Sequence, residues 1–232
     1  VSTHVFHFFL PGTDPGTVGA VLRVTEQDAR RMERVLRLRT GEPVEVADGE
    51  GRIWSAIVAG KGEVELLAVL LEPVVAPPLV VRLALSGPRS DTAVEKLVEL
   101  GVERIGPLET EGSRREPRTD RWQRIAEAAA CQAKRPRVPV IEAPVRLAHA
   151  LSRGAILMSN EHADGTIDDA IARVGRPVEI LIGPEAGFVA TEHELAKAAG
   201  VPIATLGARL LRTETAAIAA AVLALDRLGA LA

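Results

Sequence analysis

Three short stretches hold the polar and glycine residues best suited to chemistry, and each follows a run of apolar residues. The first is Ser159-Asn160-Glu161-His162. The second is Ile182-Gly183-Pro184-Glu185-Ala186-Gly187-Phe188. The third runs from Leu206 and Gly207 through Leu211, Arg212, Thr213, Glu214 and Thr215 to Ala216. Gly183 and Gly187 let a backbone approach a ligand closely, and Pro184 stiffens the turn. A tight strand-to-helix turn uses the same residues, so this stretch alone decides nothing. It is neither the G-x-G-x-x-G dinucleotide fingerprint nor a phosphate-binding loop ending in Gly-Lys-Ser/Thr. In the third stretch, Arg212-Thr213-Glu214-Thr215 leads into an almost wholly apolar helix, residues 216–225. A helix that apolar is expected to be buried, so its polar start sits in a pocket or at an interface. Thr213 or Thr215 can also cap that helix, with Glu214 answering first-turn amides. The five histidines show no metal spacing, C-x-x-C is absent and no nucleophilic triad is supported, so no metal is expected. His162 reads as an exposed loop residue.

The elements that must position these stretches follow from periodicity. Residues 43–47 and 53–58 are β-branched runs, Asp48-Gly49-Glu50-Gly51 supplies a turn between them, and residues 64–71 are a further strand candidate. Residues 25–38 read as a helix capped by Thr25, with Asp28 three residues on and Met32, Val35 and Leu36 on its apolar stripe. A compact barrel with one basic helix fits residues 1–73. Pro73, Pro77 and Pro78 then interrupt any regular element and mark a domain boundary. Residues 79–232 alternate strand and helix. Strands are expected at 79–85 (broken only by Arg82), 105–108, 155–158, 178–182 and 203–206. Helices are expected at 92–100, 120–132, 167–174, 192–199 and 215–228. Apolar strands alternating with helices predict an α/β fold, a parallel sheet with helices on both faces. In such sheets ligands bind beyond the carboxyl ends of the strands, which is where the three stretches fall.

Composition adds bounds. The 232 residues are 47% hydrophobic, 25% charged and only 3% aromatic, so any core is mainly aliphatic. A single cysteine, Cys131, excludes an intrachain disulfide and suits the cytoplasm; it reads as a small buried residue in a helix. No apolar run reaches the roughly 18 residues of a membrane span. The net charge of −3 does not itself suggest nucleic acid, but the basic residues are clustered. Arg30, Arg31, Arg34, Arg37 and Arg39 crowd one stretch, and Arg114, Arg115, Arg118, Arg121, Arg124, Lys134, Arg135 and Arg137 another. Each could be a solvated helix face; together they favour a polyanionic partner. Trp122 could stack on a base, though tryptophan in a helix more often packs.

Several motifs in one order now coincide. They are Val35-Leu36-Arg37-Leu38 with Gly41, then Glu95-Lys96-Leu97-Val98-Glu99-Leu100-Gly101-Val102, then Arg121-Trp122-Gln123-Arg124-Ile125 and Gln132 to Arg135. Ile182-Gly183-Pro184-Glu185 and the stretch from Leu206 to Ala216 complete the series. In these motifs the chain resembles the RsmE-type enzymes, which methylate N3 of a uridine in 16S ribosomal RNA and belong to the SPOUT class of methyltransferases. The resemblance implies a PUA-like RNA-binding β-barrel at 1–73 and a trefoil-knotted SPOUT-type catalytic domain at 79–232. It implies a homodimer acting on 16S rRNA in the small ribosomal subunit, with S-adenosyl-L-methionine as methyl donor. The residues implied to hold the donor are Ser159, Asn160, Glu161, Leu181, Ile182, Gly183, Pro184, Gly187, Leu206, Gly207, Leu211, Thr213, Thr215 and Ala216. Arg212, Glu214 and Glu185 are the implied catalytic residues. RNA contacts fall to Arg30, Arg31, Arg34, Arg37, Arg114, Arg115, Arg121, Gln132 and Arg135. Ala186 stands where the family usually has a second glycine, and Gly112 where it usually has an arginine. A methyltransferase of the same class on another RNA, and a non-catalytic ribosome-assembly RNA-binding protein, are the alternatives.

Overall fold

The computed structural model describes residues 5–10, 17–72, 78–85, 87–113, 118–151 and 155–231. Arg114 and Arg115, and the prolines Pro73 and Pro77 of the expected boundary, lie outside the described residues. The chain forms two units. One comprises Val1–Val75 together with Ala130–Val138, and the other Ala76–Ala129 with Pro139–Ala232. The segment Ala130–Val138, which periodicity alone left in the second domain, therefore belongs to the first unit.

In the first unit, five strands pair in the order β1-β3-β4-β5-β2: β1 (Phe6–Phe9), β2 (Val21–Arg23), β3 (Pro43–Ala47), β4 (Ile53–Gly60) and β5 (Glu63–Leu71). Period-2 alternation in β4 turns Trp54, Ala56 and Val58 inward against Phe8, Val44, Val46 and Leu66. The Asp48 carboxylate accepts hydrogen bonds from the backbone N–H of Glu50, Gly51 and Arg52, which fixes the turn between β3 and β4. Helix α1 (Glu26–Arg30) begins as expected, with the Thr25 hydroxyl accepting from the Asp28 amide. The capping box is not completed. Asp28 instead accepts from the amide of Phe9 at 2.9 Å and ties the helix to β1. The expected single helix then loosens into a π-helical turn, Arg31–Leu36, which ends at Arg37 in a left-handed conformation.

The second unit contains β6 (Leu79–Leu83), α2 (Pro88–Glu99), β7 (Arg104–Glu109), α3 (Thr119–Gln132), β8 (Val140–Ile141), β9 (Val145–Arg146) and α4 (Leu147–Leu151). It continues with β10 (Ile156–Met158), β11 (Gly165–Thr166), α5 (Ile167–Arg173), β12 (Val178–Ile182), α6 (Ala190–Ala198), β13 (Ile203–Thr205) and α7 (Thr213–Arg227). The last residues of α3 fall in the first unit. Strands run β11-β13-β10-β12-β6-β7-β8, with β9 beside β7, and every described pairing is parallel. Strands β6, β10 and β12 are buried along their whole length, which is why they read as continuous apolar runs. Helix α7 packs with α2 and α5, and α4 with α6, so helices flank the sheet. Trp122 packs: it is 2% exposed and its indole N–H donates to the Ser90 hydroxyl.

Arg82 is the exception in β6 and the structure explains it. Its Nε donates to Glu179 on β12 at 2.6 Å, and its Nη2 pairs with Glu142, which also pairs with Arg104. The guanidinium lies over Gly106, where an added Cβ would come within 2.4 Å of Nη1. The ion pairs thus join β6 to β12 and to the segment after β8. Removing one partner from such a buried network strands the other charges. Arg82→Met is expected to lower unfolding stability by about 3–5 kcal/mol, read from urea denaturation, and a cost under about 1 kcal/mol would mean that the network contributes little.

Candidate active site

The register of the sheet decides where the three stretches end up. Strand β10 lies between β12 and β13, with Met158 opposite both Ile182 and Ala204. All three strands point the same way, so their C-terminal loops emerge on one edge. There they enclose a cleft of about 260 Å³, on the order of what a small organic ligand needs. Met158, Ile182 and Ala204 form one row of its lining, joined by Ser159, Asn160, Glu161, Gly183, Pro184, Glu185, Ala186, Gly187, Phe188, Leu206, Leu210, Leu211, Thr213 and Ala216.

Each loop has its own brace. In the second, the amide of Gly187 donates to the Pro184 carbonyl at 2.9 Å and closes a β-turn, with the positive φ of 78° on Gly187. Ala186 has no positive φ, so its methyl group is accommodated where the family usually has glycine. Gly183 is required by close approach, because a Cβ there would lie 2.9 Å from the Phe188 ring. Gly112 is explained in the same way: a Cβ would lie 2.9 Å from Pro184 Cγ, so the turn at 110–113 packs directly on the second loop. Glu192, buried at the start of α6, accepts from the amides of Glu111 and Val189 and holds that turn in place. The third loop is tied to the first by Asn160. Its Nδ2 donates to the Arg209 carbonyl at 3.1 Å, and its Oδ1 accepts from the Thr205 hydroxyl at 3.0 Å. Thr205 Oγ1 accepts in turn from the Gly207 amide.

Among the donor-site residues expected from sequence, Leu181, Gly207 and Thr215 are not in the lining. Leu181 is fully buried in the core beside Leu157 and Phe188, because alternation along β12 turns it off the cleft. Thr215 is exposed on the outer side of α7. Neither threonine caps α7; Arg212 occupies the cap position without a side-chain bond. Arg212 is exposed, and Glu214 is half-buried with Oε2 shut off from solvent and without a hydrogen-bond partner. Glu185 lines the cleft and is ion-paired with Arg89 at the start of α2, a residue that the sequence reading did not single out. It also missed Met158, Ala204 and Leu210. The strand alternation carried a signal for the first two, and nothing marked Leu210, which is 92% exposed on the third loop.

The expected RNA contacts divide. Arg30, Arg34, Arg37 and Gln132 are exposed, and Arg121 is exposed but paired with Asp91 at 2.6 Å. Arg31 is half-buried, over the Phe8 ring and within 2.8 Å of Cys131 Sγ. Arg135 departs from the expectation: it is 8% exposed within the first unit, with its carbonyl hydrogen-bonded to His7, because the segment after α3 folds into that unit. Among the described residues no cluster of His, Cys, Asp and Glu could hold a metal, and no helix is long and apolar enough to cross a membrane.

Comparison with known proteins settles the family. Residues 76–225 match the model of the RNA methyltransferase domain. The ribosomal RNA small subunit methyltransferase E of Mycobacterium bovis is 31% identical, over 91% of this chain and 88% of its own. The chain belongs to the RsmE family of RNA methyltransferases. The RsmE protein of Synechocystis is 30% identical over 86% of this chain and 71% of its own. The Neisseria gonorrhoeae RsmE, solved bound to S-adenosyl methionine, superposes with a TM-score of 0.83 at 30% identity over 96% of this chain and 98% of its own. A Legionella pneumophila protein solved with the same cofactor gives 0.81 at 26% identity, over 97% and 98%. The parallel sheet with flanking helices is thus the RsmE fold.

If Asn160 is the brace described above, Asn160→Ala should release the third loop. Amide exchange at residues 206–211 should quicken by roughly tenfold while β12 and β6 stay protected. Unchanged protection in the loop would remove Asn160 from that role.

Proposed function

We propose that this chain transfers a methyl group from S-adenosyl-L-methionine to N3 of a uridine in 16S ribosomal RNA, as a homodimer with a knotted catalytic domain and a PUA-like RNA-binding domain. The single observation that carries the reading is the cleft: three loops from adjacent parallel strands, braced on one another, in a chain of the RsmE family. The residues present suit the donor. Ile182, Leu206 and Leu211 offer apolar surface to an adenosine, the glycine-bearing turns offer backbone groups, and the carboxylates of Glu161 and Glu185 suit a cationic sulfonium and ammonium.

When bound there, the donor supplies an electrophilic methyl carbon next to a positive sulfur. The chain's residues must make the nucleophile. Uridine N3 bears a proton at neutral pH, so a base has to take it and a cation has to stabilise the charge spread onto the flanking carbonyl oxygens. The candidate bases are Glu185, which lines the cleft but is engaged by Arg89, and Glu214, which lies outside the lining with a buried Oε2 that has no partner. Arg212, exposed beside Thr213 of the cleft lining, supplies the cation. Exposed Arg34 and Arg37 of the first unit grip phosphate in this reading.

Two measurements test it. Calorimetry should show S-adenosyl-L-methionine binding, and its absence would leave only an RNA-binding role. Mass spectrometry of ribosomal RNA from cells lacking the protein should show one methyluridine missing from the small subunit; an intact modification pattern would overturn the assignment of substrate. Arg212→Ala should lower turnover by about a hundredfold or more and change donor affinity less than about twofold. Equal losses in both would place Arg212 in donor binding instead.

A further inference from the structure

His193 stands directly behind the cleft wall. It lies in the first turns of α6, 2% exposed, and takes no part in the chemistry described above. Its Nδ1 is 3.2 Å from the Val189 carbonyl and its Nε2 is 2.9 Å from the hydroxyl of Ser159. A carbonyl oxygen only accepts, so Nδ1 carries the proton. In the neutral imidazole Nε2 is then a pure acceptor, and the Ser159 O–H must donate to it. The serine backbone is held independently, its amide donating to the Ala204 carbonyl at 2.9 Å. With the backbone held, the bond to His193 sets where the Ser159 hydroxyl hydrogen points. With its hydrogen turned back toward α6, Ser159 Oγ can show only lone pairs to the cleft it lines.

The imidazole is itself wedged. The His162 ring meets it edge-on at 4.8 Å between centroids, and the Phe188 ring at 6.1 Å. Phe188 is the ring against which Gly183 sits, so the start of α6 backs the first and second loops at once. Burial, with His162 alongside, holds the imidazole below the usual histidine range, and a neutral ring at pH 7 is the form this arrangement needs.

We propose that His193 is a positioning residue that fixes the Ser159 hydroxyl as a dedicated acceptor for an N–H or O–H donor of the bound adenosyl cofactor. This rests on the donor-binding reading of the cleft. A serine that can only accept favours a ligand group that donates and rejects one that can only accept, which makes the pair a source of selectivity rather than of bulk affinity.

The test is a double-mutant cycle on the full-length protein, with S-adenosyl-L-methionine affinity read by calorimetry. Ser159→Ala should weaken binding about fivefold to tenfold, the loss of one hydrogen bond. His193→Phe keeps the ring contacts with His162 and Phe188, and it should cause a similar loss. In the Ser159→Ala background His193→Phe should add nothing, because the histidine acts through the serine. His193→Gln, with an amide oxygen able to accept from Ser159, should restore affinity to within about twofold of the wild type. Additive losses, or an unchanged affinity in Ser159→Ala, would overturn the proposal. Ser159→Ala replaces a hydroxyl by hydrogen and keeps the test open should His193→Phe fold poorly. A wild-type protein that does not bind the cofactor would sink the reading of the cleft itself, and this inference with it. Wild-type binding that ignores Ser159 would sink the inference alone. The nitrogen chemical shifts of the His193 ring give a second readout: a protonated Nε2 at neutral pH would reverse the donor and acceptor roles and refute the mechanism.

Discussion

Parallel pairing of one three-residue strand with two neighbours is the constraint on which the site depends. Because β10 hydrogen-bonds to β12 on one side and β13 on the other, Met158, Ile182 and Ala204 are forced into a single row. Three loops that are far apart in sequence then leave the sheet at one edge. No loop could form the cleft alone, and each would be a commonplace turn in another context. The short length of β10 and β13 is offset by their burial, since backbone groups so enclosed have no water to pair with and must keep their ladder partners. The side-chain braces (Asn160 across to Thr205 and Arg209, Glu192 to Glu111) act on top of this register and would have nothing to hold without it.

The ion pairs of Arg82 show how polarity is tolerated in so apolar a sheet. A lone arginine in β6 would be prohibitive, but carboxylates from β12 and from the segment after β8 meet it, and Gly106 leaves the room it needs. The same economy appears at Gly112 and Gly183, where a missing side chain lets one loop lie directly on another group.

Much of this was legible from sequence, for reasons that can be named. The buried strands of the second unit read as uninterrupted apolar runs, and their helices as periodic stripes, so the α/β class and the location of the three stretches followed. Short edge strands such as β8, β9 and β11 were not legible, since two residues carry no period. The π-helical turn at Arg31–Leu36 looked like ordinary helix, because its apolar residues satisfy either winding. The resemblance implies Leu181 at the donor, whereas strand alternation turns its side chain into the core and off the cleft lining. Arg89 and His193 went unnoticed because their significance lies wholly in what they touch across the fold. Arg135 misled because a basic residue in a basic stretch looks like surface, and only the topology reveals that its segment folds inward.

That inward fold has a consequence for how the molecule is made. His7 and Cys131 are hydrogen-bonded across 124 residues, as Cys131 Sγ donates to the His7 carbonyl, and Lys134 reaches Glu45 at 3.0 Å. The first unit is therefore discontinuous: its amino-terminal stretch lacks these closing partners until residues 130–138 have been synthesised. A nascent chain must hold its five-stranded sheet without that covering segment while residues 76–129 of the second unit emerge. An excised fragment ending near residue 75 would expose the surface that this segment covers.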